Sequence, residues 1–256
     1  MKDFLRELAV AAARQTLPRF RQQGDVVNKI ATGFDPVTEA DRETEKAIRS
    51  LIEARFPDHG ILGEEFGSTN AGSQHVWVID PIDGTRAFIS GLPLWGTLVG
   101  LTRGGRAVAG MMSQPFTGET FLADAGGAVY EGPGGPRPLA TRKTTDLANA
   151  TMFTTTPALF LEHKRLAYDR LEARVQLARY GTDCYAFCML AAGHVDLVIE
   201  AGLQPYDIVA LIPIIEQAGG VVTRIDGGRA EEGGDVIAAA NATLLEAALE
   251  VLRAQS

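Results

Sequence analysis

The junction between a short apolar run, Trp77–Ile79, and the hexapeptide Asp80–Thr85 restricts the fold more than any other part of the chain. The run predicts a buried strand, and a possible short helix follows through Phe88. Two carboxylates, a glycine and a hydroxyl therefore stand where a strand ends and a helix begins. Aspartate oxygens are hard ligands that suit Mg²⁺, and free N–H groups at a helix start attract phosphate. The junction predicts a place that can hold both a metal ion and the anion that the metal activates.

The size and charge of the chain limit its class. Its 256 residues, 46% of them hydrophobic, are enough for one large domain or two small ones with a real core. We divide it into an N-terminal α+β part, 1–140, with the metal and phosphate motifs, and a C-terminal α/β part, 141–256, that completes the site. The net charge of −8 and the pI near 5.1 argue against nucleic-acid binding.

Cysteine usage and the N-terminus indicate a cytosolic protein. Cys184 and Cys188 are four residues apart, so on a helix they would share a face, and we expect buried free thiols in a reducing compartment. The first residues lack a signal-peptide core. No apolar run reaches about 18 residues, so we expect no membrane span.

Hydrophobic periodicity predicts the elements of the first half. Residues 3–22 predict an amphipathic helix. After a turn signal at Asp35, Thr38–Asp41 predicts a capping box that starts a helix ending at Pro57. Residues 67–75 predict a loop. Four strands of an antiparallel sheet are expected at Thr97–Leu101, Val108–Met112, Thr120–Leu122 and Ala128–Tyr130.

The second half follows a linker at 131–147 and alternates between strands and helices, which indicates an α/β layer. We predict strands at Val175–Tyr180, Val195–Ile199, Val221–Ile225 and Val236–Ala239, and helices at Asp183–Ala192, Asp207–Ala218 (despite Pro213) and Thr243–Arg253.

Five acidic residues at the ends or starts of elements are candidates for one metal site: Asp41, Glu64, Asp80, Asp83 and Asp207. Two Mg²⁺ ions need several carboxylates, because each takes about six oxygens. Each residue also has a plainer explanation. Asp41 can complete the capping box, Glu64 can belong to a solvated loop, Asp80 and Asp83 can cap a turn, and Asp207 can favour a helix N-terminus.

The segment Trp77–Thr85 resembles the signature of the inositol monophosphatase family. Three further pieces resemble that family in the right order: Asp35–Asp41, Gly63–Glu65, and Tyr206–Ala210 followed by Glu216–Gly220. The resemblance covers most of the chain. It departs from the family pattern at Tyr206, where the family usually has Trp, and in a shorter loop between Glu64 and Asp80.

The resemblance implies an αβαβα layered sandwich and Mg²⁺-dependent hydrolysis of phosphomonoesters, with two or three ions per site. It assigns metal ligation to Glu64, Asp80, the carbonyl of Ile82, Asp83 and Asp207. Asp41 would orient a weaker metal through water, and Thr85, with Glu64 or Asp41, would activate the attacking water. The N–H groups of Gly84 and Thr85 would hold the phosphate. The D-P-I-D spacing differs from the D-x-D-x-T motif of phosphatases with an Asp nucleophile, so direct attack by water is favoured.

The residues after the hexapeptide bear on the substrate. Arg86–Thr97 and Tyr180–Ala186 resemble the branch of the family that hydrolyses histidinol phosphate, whose amine and imidazole call for carboxylates beyond the metal ligands. Thr182, Asp183 and Glu200 are the candidates for that pocket, with Arg86 on the phosphate or the acidic site. Asp183 can instead cap a helix, Arg86 can form a surface ion pair, and Trp95 is expected in the core.

The function we expect is therefore histidinol phosphatase, in histidine biosynthesis. The alternatives are an inositol-1-phosphatase, or a phosphatase of broad specificity for small molecules, and, more remotely, a regulatory member of the superfamily that acts through protein or RNA partners. The family resemblance also implies a homodimer.

Overall fold

Residues 1–22, 26–28 and 36–254 are described by a computed structural model of the chain, and the turn signal at Asp35 lies outside them. The helices in this part of the chain are α1 (Lys2–Thr16), α2 (Glu39–Arg55), α3 (Thr85–Ile89), α4 (Glu162–Glu172), α5 (Asp183–Ala191), α6 (Pro205–Ile208), α7 (Leu211–Gln217) and α8 (Ala242–Arg253).

The strands divide between two large sheets and one small hairpin. The first half of the chain supplies β1 (Val26–Asn28), β2 (Pro36–Thr38), β3 (Gly60–Gly63), β4 (Gly67–Thr69), β5 (His75–Asp83), β6 (Gly96–Arg103), β7 (Arg106–Gln114), β8 (Glu119–Asp124), β9 (Gly127–Glu131) and β10 (Arg137–Pro138). The second half supplies β11 (Thr151–Thr154), β12 (Leu177–Tyr180), β13 (Leu197–Leu203), β14 (Val221–Arg224) and β15 (Gly234–Ala239).

The larger sheet has the strand order β10-β9-β8-β7-β6-β5-β3-β4 and is antiparallel except where β3 runs parallel to β5. The smaller sheet has the order β12-β11-β13-β15-β14, with parallel pairing on both sides of β11. The change of sheet falls between residues 138 and 151, close to the boundary placed at 140. The division into two domains stays a prediction.

Helices cover both faces of both sheets and build five layers. Leu5 and Leu8 of α1 and Ile48 of α2 pack on one face of the larger sheet, against Trp77. Helices α5 and α7 fill the space between the sheets, and α4 and α8 cover the outer face of the smaller sheet. The order helix, sheet, helix, sheet, helix confirms the predicted αβαβα sandwich.

Local chemistry explains where the helices start and stop. The capping box at Thr38 is confirmed: its hydroxyl accepts from the Ala40 N–H at 3.1 Å, and its own N–H donates to Asp41. The first helix ends at Thr16, not at residue 22, since Pro18 cannot donate a helical hydrogen bond. Pro213 likewise cannot donate to the carbonyl of Val209, and the single helix predicted there is broken into α6 and α7.

Other differences from the predictions concern an edge strand of the larger sheet, an inner strand of the smaller sheet and a helix of the outer layer. Gly67–Thr69, predicted as part of a loop, pairs with β3 as the edge strand β4. Strand β11 and helix α4 were not predicted. Both cysteines are buried and free, as expected. Trp95 is fully buried, which confirms its place in the core.

The middle helical layer packs so closely on the larger sheet that two paired positions of the sheet have room only for glycine. Gly100 and Gly110 face each other on β6 and β7, and both lie against Ala210, between α6 and α7. A Cβ at Gly100 would lie 2.8 Å from the Ala210 nitrogen, and one at Gly110 would overlap the Ala210 carbonyl oxygen. Glycine at these positions therefore allows the turn that follows α6 to rest on the sheet.

We expect Gly110→Ala to destabilise the fold by about 2–3 kcal/mol, because the added methyl group would force backbone atoms of the middle layer apart. Gly72→Ala is the matched control, since a Cβ there would meet nothing within 4 Å. Thermal unfolding followed by circular dichroism measures both variants, and equal melting temperatures for the two would contradict the packing argument.

Candidate active site

Three carboxylates converge where β5 ends and α6 begins. Asp80 and Asp83 lie at the C-terminal end of strand β5, on either side of a shift in its pairing register with β6. Asp207 lies in α6. Ligand oxygens of the three lie within 4.8 Å of one another. Asp80 is buried, and its Oδ1 has no hydrogen-bond partner among the described residues.

Burial and mutual repulsion govern the protonation of this cluster. Burial raises the pKa of Asp80 well above its usual range, and the negative charges of Glu64, Asp83 and Asp207 raise it further. Burial raises the pKa of Asp83 in the same way, and Asp183 and Asp207 add to the effect. Such a cluster is stable only if it takes up protons or a cation. A set of carboxylates around a buried, unpartnered oxygen fits a hard divalent cation.

Backbone donors fix two of these carboxylates in place. The Cys184 N–H, at the start of α5, donates to Asp83 Oδ2 at 2.6 Å. The Gln204 N–H donates to Asp207 Oδ2 at 2.7 Å. Asp207 therefore also caps the N-terminus of its helix, which was the alternative explanation for this residue. Glu64 interacts with Asp80 through a side-chain hydrogen bond, and its own N–H donates to the carbonyl of Ile79 at 3.1 Å.

The hexapeptide turns sharply after Asp83. Gly84 has φ +82°, in the left-handed region that favours glycine, and Thr85 is the first residue of α3. The Thr85 hydroxyl donates to the carbonyl of Ile82 at 3.1 Å. This hydrogen bond holds the Thr85 hydroxyl and the Ile82 carbonyl together on one side of the turn.

An acidic cavity of about 520 Å³ opens beside the cluster. It brings together half of the predicted site, because Arg86 and five predicted carboxylates lie on its wall: Glu64, Asp83, Asp183, Glu200 and Asp207. Phe187, Leu159 and Leu203 add apolar surface. The cavity therefore combines several negatively charged side chains, the positively charged side chain of Arg86 and an apolar wall.

Asp183 and Glu200 meet at Thr155, a residue that the sequence analysis missed. The Thr155 N–H and hydroxyl donate to Glu200 Oε1 at 2.6 and 3.0 Å, and Asp183 also forms a side-chain hydrogen bond with Thr155. Burial raises the pKa of Glu200 to about 8. Burial also raises the pKa of Asp183, although the hydrogen bond with Thr155 and the positive charge of Arg86 lower it in part. Thr155 follows strand β11 directly, so recognising that strand would have placed it at the site.

The alternative in which Asp183 caps helix α5 is wrong. The N-cap residue is Thr182, which makes no side-chain cap bond, and its buried hydroxyl has no partner among the described residues. Asp183 has φ +41°, a left-handed conformation that is uncommon for an aspartate. A Cβ added at Gly84 would lie 3.3 Å from the Asp183 carboxyl group, so a glycine in the hexapeptide leaves room for this side chain.

Asp41 is one of the predicted site residues that do not line the cavity, together with Asp80, Ile82, Gly84, Thr85 and Thr182. It is buried at the start of α2, where its Oδ2 accepts from the Thr38 N–H at 2.8 Å and from the Thr38 hydroxyl at 2.6 Å. The capping explanation for Asp41 is confirmed. Its additional role beside a metal stays a prediction.

A five-layered αβαβα sandwich, with a carboxylate cluster and an acidic cavity at the end of a central strand, is the arrangement of a phosphatase built from alternating layers of helices and sheets. The model of the inositol monophosphatase family matches residues 1–256. The chain is 41% identical over 224 residues to a bifunctional phosphatase, IMPL2, of Arabidopsis thaliana, covering 87% of this chain and 63% of that longer protein. It is 37% identical to a histidinol-phosphatase of Chlorobaculum parvum, covering 84% and 82% of the two chains.

The structure is similar to that of an inositol monophosphatase from Zymomonas mobilis, with a TM-score of 0.87 and 36% identity over 99% of this chain and 98% of that one. The chain belongs to the inositol monophosphatase family and is a phosphatase of that family. Its resemblance to the histidinol-phosphatase branch is borne out by the relatives. None of the described helices is long and apolar enough to cross a bilayer.

The raised pKa of Glu200 predicts a pH dependence of stability. The folded protein keeps this proton up to about pH 8, whereas an unfolded chain releases it near pH 4.5. The contribution of Glu200 to stability therefore falls as the pH rises from about 4.5 to about 8. Glu200→Gln has no proton to lose and keeps an oxygen that can accept from Thr155.

We expect Glu200→Gln to match the parent protein at pH 5 and to exceed it in stability at pH 8 by a few kcal/mol, since each pKa unit is worth about 1.4 kcal/mol. Urea unfolding in metal-free buffer at both pH values measures the difference. Glu246→Gln, on the exposed side of α8, should follow the parent protein at both. A constant difference across pH would show that Glu200 is ionised in the folded protein.

Proposed function

We propose that this phosphatase is Mg²⁺-dependent and hydrolyses L-histidinol phosphate to L-histidinol and inorganic phosphate, as a step of histidine biosynthesis. The observation that carries the proposal is the presence of two further carboxylates on the cavity wall, the half-buried Asp183 and the buried Glu200, in addition to the acidic cluster. The similarity to a histidinol-phosphatase adds support.

Glu64, Asp80, Asp83, Asp207 and the carbonyl of Ile82 would hold the metal ions, two or three per site. When bound, Mg²⁺ neutralises the phosphate dianion and lowers the pKa of a coordinated water. The oxygens offered by this chain are carboxylates and a carbonyl, which are the donors that Mg²⁺ prefers. The buried, unpartnered oxygen of Asp80 supports this assignment.

The chain's own groups would position the reactants. The N–H groups of Gly84 and Thr85 hold the phosphate, and the Thr85 hydroxyl together with Glu64 orients the attacking water and takes its proton. Glu64 is favoured over Asp41 because Glu64 lies on the cavity wall, whereas Asp41 is hydrogen-bonded to Thr38. No covalent phosphoenzyme is formed, and the leaving alkoxide takes a proton from a water near Asp207.

The leaving group would lie between Asp183 and Glu200. Its ammonium group pairs with these carboxylates, which share Thr155 as a donor. The imidazole contacts the apolar side of the cavity, near Phe187 and Leu159. Arg86, which already interacts with the charge of Asp183, orders this acidic wall or reaches the phosphate, and Thr182, the residue before Asp183, contributes to the same pocket.

Inositol 1-phosphate is the second candidate substrate, and the similarity to the Zymomonas mobilis inositol monophosphatase favours it. An inositol offers only hydroxyl groups, which do not require two carboxylates in addition to the metal ligands. We also propose that the protein is cytosolic, on its free cysteines, and homodimeric, on the family resemblance.

We expect kcat/KM for histidinol phosphate to exceed that for inositol 1-phosphate by at least about tenfold, because only the former presents a cation to Asp183 and Glu200. The measurement is phosphate release by the purified protein with Mg²⁺. Fructose 1,6-bisphosphate and a nucleotide 3′-phosphate serve as further substrates in parallel. An equal or reversed preference between the first two would contradict the proposal.

Asp183→Asn should lower kcat/KM for histidinol phosphate by roughly 10- to 100-fold, since a charged hydrogen bond is worth about 1.5–3 kcal/mol. It should leave hydrolysis of inositol 1-phosphate nearly unchanged. Asp169→Asn, in an exposed ion pair on α4, is the matched control. An equal loss on both substrates would place Asp183 in the metal site and not in the leaving-group pocket.

A further inference from the structure

A buried ion pair on helix α2 lies directly behind the loop that carries Glu64. Glu45 is fully buried and Arg49, one turn later, is nearly so. The Arg49 Nε donates to Glu45 Oε1 at 2.7 Å. A buried charge pair costs desolvation energy, which is offset only if the remaining polar atoms are also hydrogen-bonded, so the other partners of this pair are informative.

Those partners all lie on the segment after β3, which comprises the loop at Glu65 and Phe66 and the strand β4. Glu45 accepts the N–H of Glu65 at 2.7 Å and the N–H of Phe66 at 3.2 Å. Arg49 donates to the carbonyl of Gly67 and also reaches the hydroxyl of Thr69. The pair therefore holds the backbone that follows Glu64 at several successive points.

The backbone before and after Glu64 is held from opposite sides. The N–H of Glu64 donates to the carbonyl of Ile79, the residue before Asp80, and the next two N–H groups donate to Glu45. A Cβ added at Gly63 would collide with the Glu45 carboxylate, so this glycine leaves the space that the carboxylate occupies. The main chain of Glu64 is thus fixed relative to both α2 and the end of β5.

We propose that Glu45 and Arg49 are positioning residues that hold Glu64 against the aspartate cluster and thereby set the affinity of the site for its metal ion. This inference rests on the proposed role of Glu64 as a metal ligand. Glu64 and Asp80 repel each other when both are ionised, and an unrestrained loop would let Glu64 move away. Holding the backbone in place removes that freedom, so the site is preorganised for a cation.

The test measures Mg²⁺ binding directly, by isothermal titration calorimetry without substrate. Glu45→Gln should raise the Kd for Mg²⁺ by about tenfold or more, as loss of a supporting residue behind a metal ligand does. Arg49→Lys keeps the charge but loses the forked reach to Gly67 and Thr69, so it should raise the Kd in the same direction while preserving the fold. At saturating Mg²⁺ both variants should recover KM for the phosphate ester.

Two further variants make the result decisive. Glu43→Gln, in an exposed ion pair on the same helix, should leave the Mg²⁺ affinity unchanged. Glu64→Gln removes the charge of the proposed ligand itself, and the change in its Kd for Mg²⁺ is the reference for the other variants. If Glu64→Gln weakens Mg²⁺ binding while Glu45→Gln and Arg49→Lys lower only the melting temperature, the positioning role is wrong and the metal role of Glu64 stands. If Glu64→Gln leaves the affinity unchanged, both are wrong.

Discussion

The repulsion among the carboxylates that converge at the junction of β5 and α6 is the constraint on which the rest of the site depends. Asp80, Asp83 and Asp207 would separate if their backbones were free, because burial strengthens the repulsion between like charges. The fold opposes this with neutral backbone donors: the Cys184 N–H of α5 donates to Asp83, and the Gln204 N–H at the start of α6 donates to Asp207. The chain thus contributes the rigidity that keeps the charges together, and a cation or protons must contribute the neutralisation.

The layered architecture makes that rigidity possible. The carboxylates come from the larger sheet and from the middle helical layer, so their separation depends on how closely the two layers pack. Gly100 and Gly110 allow the turn after α6 to rest on the sheet, and the Asp207 helix is thereby fixed near β5. On the other face of the sheet, α2 fixes the Glu64 loop through Glu45. Helices on opposite sides of one sheet therefore hold the same cluster.

The local motifs could be predicted from the sequence because their chemistry is local. The capping box at Thr38 and the strand–turn–helix unit around Gly84 each depend on a few neighbouring residues. The αβαβα arrangement followed from a family resemblance spread along most of the chain. The end of α1 was misplaced because the apolar pattern continues beyond Pro18, while the missing N–H of that proline ends the hydrogen bonding.

What could not be predicted depends on contacts between distant parts of the chain. Thr155 becomes informative only when β11 is placed beside β13, since it is 45 residues from Glu200. Glu45 is an ordinary helix residue by its pattern, and its carboxylate contacts a loop about 20 residues away. The left-handed backbone of Asp183 has no signal in its neighbours. Thr155 supports two predicted carboxylates and Glu45 supports the loop that carries a third, so sequence reasoning found the charges and missed the groups that hold them.

The two halves of the acidic cavity carry different kinds of information. The cluster of Asp80, Asp83 and Asp207 suits any phosphate ester, because a metal and a phosphate make the same demands whatever the leaving group. Asp183 and Glu200 are further carboxylates on the wall and both hydrogen-bond to Thr155, and their raised pKa values mean that the charge of this pair responds to what enters the cavity. A cationic leaving group would stabilise the ionised forms of both carboxylates. A polyol carries no charge, so the pKa values of the two carboxylates would stay raised. Discrimination between substrates therefore follows from the cost of burying these two carboxylates without a cation.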